Sequence, residues 1–203
     1  MRKLNASLFI SLDGVVEGPG PSDDFARAGW TMPYFSEELG AFIGESSAQS
    51  DGLLLGRVTY QMFRAAFEAQ GDSNPSAAMM NGAHKYVVSR TLERAEWTNS
   101  TLLGGDLVPA ITQLKAQGDR PLNISGSVTL VQSLLAHGLL DGLDLLLNPV
   151  VVGAGRRLFE TGSESTLGLT LRETRAFPHG VVLLSYAVNT PDGPTSEPTG
   201  THP

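Results

Sequence analysis

Leu4, Ala6, Leu8, Ile10 and Leu12 alternate with mostly polar neighbours, and this period of two predicts a half-buried strand that ends at Asp13-Gly14. A Gly- and Pro-rich loop follows to about Ser22. From Pro33 the period changes. Phe35, Leu39, Phe42 and Ile43 recur at helical spacing, Pro33 suits a first helical turn, and the pattern predicts a helix to about Ala48. Gly52 to Leu55 reads as a short buried strand stopped at Gly56, after which Val58, Met62, Phe63 and Phe67 give a second helix its apolar face. The alternation recurs with a strand from Lys85 to Val88, a helix from Leu107 to Ala116 and a strand from Leu122 to Ser125. A further helix carries Val128, Val131, Leu134 and Leu135 and stops at Gly138, which is placed to cap it.

From Leu143 the character changes to strands alone. Leu143 to Val152, Leu167 to Phe177 and Val181 to Val188 are separated by Gly and Pro turns. Alternating strands and helices predict parallel strands with crossover helices, and a tail of strands predicts antiparallel closure of one mixed sheet. After Asn189 no apolar residue is large enough to anchor the chain, so a domain over 1–189 and a disordered tail over 190–203 are expected.

Composition narrows the class. A chain of 203 residues, 41% hydrophobic and 17% charged, fits one globular core. It has no cysteine, which excludes disulfides, thiolate metal sites and cysteine nucleophiles and suits a reducing compartment. His84, His137, His179 and His202 have no metal-like spacing, so no metal site is expected. Behind Arg2-Lys3 the apolar run is broken by Asn5, Ser7 and Ser11, which marks a strand and not a leader. No window approaches the roughly 18 apolar residues of a membrane span, and the cytoplasm is the expected address. A net charge of −7 argues against nucleic acid as a partner.

Three strands run into small or polar residues ahead of a helix or turn: Leu55-Gly56-Arg57-Val58-Thr59, Val88-Ser89-Arg90-Thr91 and Ser125-Gly126-Ser127-Val128-Thr129. In open α/β sheets ligands lie beyond the carboxyl ends of the strands, where helix N-termini offer unpaired N–H groups to phosphate. Gly56 and Gly126 permit close backbone approach, Thr59 and Ser127 offer hydroxyls, and Arg57 and Arg90 offer fixed charge. Any one junction is also an ordinary turn; their joint occurrence points to a dinucleotide. The Rossmann fingerprint is missing, since Gly153-Ala154-Gly155 lacks its third glycine and reads as a turn that can bring Arg156 or Arg157 to a ligand.

These motifs, with Ser11-Leu12-Asp13-Gly14 before them and Val150-Val151-Val152-Gly153-Ala154-Gly155-Arg156-Arg157 after them, resemble the dihydrofolate-reductase-like superfamily over about residues 2 to 188. The sequence is most similar there to stand-alone relatives of the C-terminal reductase domain of bifunctional riboflavin-biosynthesis deaminase-reductases. The zinc deaminase half of those enzymes needs cysteines, which this chain lacks. The resemblance implies a three-layer α/β sandwich with a mixed, mostly parallel central sheet. It also implies NADPH as cofactor and a small pyrimidine- or pterin-like substrate. By the same resemblance Gly56, Arg57, Thr59, Gly126 and Ser127, with the flanking Leu55, Val128 and Thr129, hold the cofactor phosphates, and Ser89 and Arg90 face the 2′-phosphate.

Hydride transfer to C=N or C=O requires a proton source, and the catalytic candidates are Asp13, which matches the Asp of the family's Ser-Leu-Asp-Gly pattern, and Glu38 on the first helix. Asp13 is alternatively a turn residue and Glu38 a solvated helix flank. Gly14, Gly18 and Gly20 flank a loop suited to act as a lid, and Trp30 and Tyr34 are placed to stack on a planar substrate or to pack. A homodimer is expected from the resemblance and from the long apolar strand Leu143 to Val152. A second reading is a non-catalytic NADPH- or ligand-binding protein that retains the cofactor loops.

Overall fold

The computed structural model describes residues 1–21, 25–159 and 166–189, so the expected tail over 190–203 lies outside the described residues. In chain order the elements are β1 (Leu4–Ser11), α1 (Glu37–Ala48), β2 (Leu53–Gly56), α2 (Arg57–Phe67), α3 (Pro75–Gly82), β3 (Lys85–Val88) and β4 (Ser100–Leu103). They continue with α4 (Leu107–Ala116), β5 (Leu122–Ser125), α5 (Val128–Ala136), β6 (Gly142–Asn148), β7 (Leu169–Ala176) and β8 (Val182–Val188).

The strands form one sheet in the order β4-β3-β2-β5-β1-β6-β8-β7. Neighbours from β4 to β6 pair parallel, and β8 pairs antiparallel with both β6 and β7. This is the mixed, mostly parallel sheet with antiparallel closure that the periodicity predicts. Even-numbered residues of β1 (Leu4, Ala6, Leu8, Ile10) pack with Leu54, Leu122 and Ile124 against α4 and α5. On the opposite face Leu53, Leu55 and Val87 pack against α2 and α3, while Leu146 and Leu183 pack against Leu39 of α1. The result is three layers, with two separate apolar clusters on the face that carries α1 and α2.

Four local departures from the periodicity have identifiable causes. Pro33 starts a 3-10 turn, Met32–Tyr34, and Phe35 is extended. The α-helix begins only at Glu37, where the Ser36 hydroxyl caps it by accepting from the Leu39 amide at 3.2 Å. Helix α3 lacks a strong apolar stripe; its signal is Asn74-Pro75, a cap whose Oδ1 accepts from the Ala77 amide at 2.9 Å followed by a proline in the first turn. Strand β4 is a polar edge strand without a buried run, and hence without a pattern to read. Strand β6 stops at Asn148 because Pro149 has no N–H to continue the ladder. It also lies inside the sheet with Leu143, Leu145 and Leu146 buried, while Val151 beyond its end is exposed, as are Leu167 and Leu171.

The α3–β3 corner holds a buried charge. Lys85 is fully buried, its Nζ donates to the carbonyls of Met80 at 2.9 Å and Asn81 at 3.1 Å, and it lies 4.1 Å from the centre of the Trp97 ring. Burial pushes the ammonium down to about 8. Between that value and the ordinary lysine range the unfolded chain binds more protons than the folded one, so stability rises with pH there. Denaturation midpoints should accordingly show wild type gaining on Lys85→Met between pH 8 and pH 10, with the gap constant below pH 7.

Candidate functional site

Because β3, β2, β5 and β1 run parallel, their carboxyl ends share one edge of the sheet. A cleft of about 1440 Å³ opens there, lined by Gly56–Thr59, Val88–Thr91 and Ser125–Leu130 from the three junctions and by Val16–Gly20 from the loop after β1. Helices α1 and α3 have side-chain caps at Ser36 and Asn74, but α2 and α5 have none. Their first-turn N–H groups therefore reach the cleft without a side-chain acceptor, beside the positive ends of two helix dipoles. Such an arrangement suits an anion.

A reciprocal pair of hydrogen bonds joins the two helix starts. The Gly56 amide donates to Ser127 Oγ at 2.8 Å, and the Ser127 amide donates to Thr59 Oγ1 at 3.0 Å. Each hydroxyl accepts from a backbone N–H, which leaves its own proton available to a third group. Gly126 and Ser127 are both left-handed, at φ of 65° and 60°. A Cβ at Gly126 would come within 3.3 Å of Thr59 Cγ2, and one at Gly56 within 3.4 Å of Ser127 Oγ. Gly126 is thus required by its backbone conformation and by the closeness of Thr59, whereas a Cβ at Gly56 would make ordinary contact with Ser127.

Of the other cofactor-binding candidates, Val128, Thr129, Arg57 and Arg90 line the cleft. Arg57 Nη1 donates to Gln61 Oε1 at 3.1 Å, whereas the Arg90 side chain is exposed and has no hydrogen-bond or ion-pair partner among the described residues. Ser89 is buried, and its Oγ accepts from the amides of Thr91 and Leu92 at 3.1 and 3.0 Å, which shapes the turn presenting Arg90. Leu55 is wholly buried and offers the cleft no side-chain surface.

Neither catalytic candidate lines the cleft. Asp13 Oδ1 accepts from Ser11 Oγ at 2.7 Å and from the Val152 amide at 3.0 Å, and Oδ2 accepts from the Gly153 amide at 2.8 Å. The Ser11 hydroxyl first, then the Val152 amide, hold this carboxyl at about 2. So engaged, the carboxyl fastens the 152–157 turn to the end of β1, aided by Arg157 Nε donating to the Asp13 carbonyl at 2.8 Å. Glu38 is exposed and paired with Arg175 at 2.8 Å, away from the cleft. Trp30 is buried, with Nε1 donating to the Glu17 carbonyl at 2.7 Å, and Tyr34 packs in the α1 cluster, so neither is a stacking surface.

The loop expected as a lid does overhang the cleft, tied at Glu17 by Trp30, at Pro19 by Thr31 Oγ1 (2.7 Å) and at Val16 by the Arg156 carbonyl (3.0 Å). Glu17 Oε2 accepts from the Arg156 amide at 2.8 Å, and Arg156 Nη1 reaches Thr129 Oγ1 at 3.4 Å. Beyond the three junctions, of which Ser125 is part, Ser7, Met32, Phe35 and Met62 escaped the sequence reading as cleft residues. Ser7 and Ser125 are registered neighbours on β1 and β5 and form part of the cleft lining. Their signal was the same alternation that buries Leu4, Ala6, Leu122 and Ile124 on the other face. Met32, Phe35 and Met62 also line the cleft, and no periodicity distinguishes such residues from core. Among the described residues no group of three or more His, Asp or Glu is placed to hold a metal ion.

Residues 2–183 match the family model for the RibD C-terminal domain. The uncharacterized protein YyaP of Bacillus subtilis (strain 168) is 25% identical over 191 residues, which span 93% of this chain and 96% of YyaP. A protein of Shewanella sp. PV-4 named for riboflavin biosynthesis superimposes with a TM-score of 0.66 at 22% identity, over 94% of this chain and all of that one. Dihydrofolate reductase from Enterococcus faecalis, solved with NADP(H), superimposes with a TM-score of 0.57 at 14% identity, over 93% of this chain and 97% of that one. The fold is dihydrofolate-reductase-like.

The latch and the Asp13 clamp each make a prediction. Thr59→Val removes the acceptor of the Ser127 amide at nearly constant volume and should cost about 1–3 kcal/mol of stability, read from urea midpoints. The Asp13 carboxyl is lowered in the folded state, so its stabilisation is present above the ordinary aspartate value and is lost as pH falls toward about 2. Melting curves should show Asp13→Asn less stable than wild type by a constant margin from pH 5 to pH 7, with the margin closing below about pH 4.

Proposed function

Since the chain belongs to the RibD C-terminal domain family, we propose that it is an NADPH-dependent reductase of a small planar substrate, pyrimidine- or pterin-like. The observation that carries this reading is the pair of latched helix starts without side-chain caps, beside an arginine that has no partner among the described residues.

The first-turn amides of α2 and α5, including those of Val128 and Thr129, bind the pyrophosphate, and the Thr59 and Ser127 hydroxyls donate their remaining protons to it. Leu55 contributes through the backbone that leads into Gly56. Ser89 holds the turn from which Arg90 pairs with the 2′-phosphate, and Arg57 adds charge at the start of α2. When bound, NADPH supplies the hydride, which adds to carbon of a C=N or C=O bond while water supplies the proton to nitrogen or oxygen. Asp13 is a positioning residue, holding the turn that carries Arg156 against the loop over the cleft. A homodimer is part of the same proposal, and light scattering at micromolar concentration reads it. One observation favours the non-catalytic alternative: neither Asp13 nor Glu38 lines the cleft.

Mixing the protein with NADPH and a panel of pterins, aminopyrimidines and dicarbonyls separates the two readings. Loss of NADPH absorbance supports the reductase; tight binding without oxidation supports the alternative. Because the 2′-phosphate alone distinguishes the cofactors, NADPH should bind more tightly than NADH. Arg90→Ala should weaken NADPH by about 10- to 150-fold, the equivalent of roughly 1.5–3 kcal/mol for a charge-assisted pair, and leave NADH nearly unchanged. Equal loss for both cofactors would make Arg90 structural.

A further inference from the structure

We infer that the substrate is an uncharged, planar, largely apolar molecule that bears neither phosphate nor carboxylate, an inference that rests on the reductase reading and narrows it. Positive charge in the cleft is scarce. The chain has 14 Lys and Arg residues, and residues 22–24, 160–165 and 190–203, outside the described ones, contain none of them. Three of the 14 line the cleft: Arg57, Arg90 and Arg156. The other eleven do not line it, and Arg27 and Arg157, the nearest in sequence to its rim, are held by the Val152 carbonyl and by Asp13. Arg2 and Lys115 pair with Asp51 and Asp141 at the opposite edge of the sheet, Lys85 is buried under α3, and Arg64 and Arg175 pair with Glu96 and Glu38.

The three cleft arginines all belong to the anion side. Arg57 opens α2, Arg90 follows β3, and Arg156 reaches the first turn of α5 at Thr129. Arg156 is also offset by Glu17, whose carboxylate accepts from its amide and lies 3.7 Å from its Nε. The starts of α2 and α5, which have no side-chain cap, lie on the same side. A substrate phosphate would have to compete with the cofactor for these groups.

The rest of the lining, from β1, the segment ahead of α1 and the middle of α2, is largely apolar. Phe9, Met32, Phe35, Met62 and Phe63 belong to it, and Met32 and Phe35 are 56% and 45% exposed. Phe35 is held in place by Gly40, where a Cβ would lie 3.3 Å from its ring. An anionic group set against these side chains would lose hydration without gaining a partner, a heavy cost. A flat ring would cover the exposed apolar side chains, and the Ser7 and Ser125 hydroxyls on the floor would bond its edge nitrogen or oxygen atoms. Neutral bicyclic nitrogen heterocycles and conjugated aromatic carbonyls fit this description; phosphoribosylated pyrimidines and glutamate-conjugated pterins do not.

The test is calorimetry of the NADPH-loaded protein with a matched pair: a 6-hydroxymethyl dihydropterin and its phosphate monoester. The unphosphorylated member should bind at least about tenfold more tightly, with a Kd insensitive to salt between about 50 and 500 mM. Phe35→Lys, which adds a cation at an exposed position, should close the gap between the two. The inference is overturned if the phosphate ester binds equally or more tightly, or if neither member binds. NADPH binding is measured first. Should NADPH itself fail to bind, the reductase reading falls, and the same pair titrated into the protein alone still reports the charge preference of the cleft.

Discussion

Two hydrogen bonds, from the Gly56 amide to Ser127 Oγ and from the Ser127 amide to Thr59 Oγ1, set the geometry on which the site depends. They join the ends of β2 and β5, strands that are distant in sequence but adjacent in the sheet. A helix start is a weak anion site when it stands alone and exposed; two held side by side, with hydroxyl protons still free to donate, form a preorganised one. The latch costs backbone freedom at Gly126 and a left-handed conformation at Ser127, which is unusual for a residue with a side chain. That strain is offset by the bonds Ser127 makes through both its amide and its hydroxyl.

Asp13 plays a corresponding part for the 152–157 turn. Its carboxylate binds two successive amides, Val152 and Gly153, while Ser11 Oγ donates to it and accepts from the Val15 amide at 2.9 Å. The turn that leads to Arg156 is thereby fixed relative to β1, and Arg156 in turn meets Glu17 in the loop over the cleft and Thr129 on α5. A local Asp-Gly turn thus becomes a connection between segments about 140 residues apart. Its acidity follows from this role, since three donors converge on one small carboxylate.

Charge is distributed along the cleft with a clear polarity. Arginines and helix starts gather where β2, β3 and β5 end, and Met32 and Phe35 ahead of α1, with Met62 and Phe63 of α2, form the apolar part of the lining. On that face of the sheet the α1 cluster and the α2–α3 cluster are separate, and the cleft opens beside them. Ser7 and Ser125, too small to fill it, leave the floor open and polar.

The amino-acid sequence alone determined which segments pair with the core. Period-two alternation in β1, short apolar runs in β2, β3 and β5, and helical spacing in α2, α4 and α5 are local consequences of one buried face per element, and so is the change to strands after Leu143. The junction residues that line the cleft were legible for the same reason, as Gly and Ser at a strand end preceding a helix carry a local signature. Strand β4 and helix α3 were not, because an edge strand and a short helix bury too little to leave a pattern. Only the tertiary structure decided the surroundings of Asp13, Glu38, Ser7 and Phe35. Whether a carboxylate meets substrate, an arginine or two backbone amides depends on what strand order and loop path bring to it from far along the chain, and no local spacing encodes that partner.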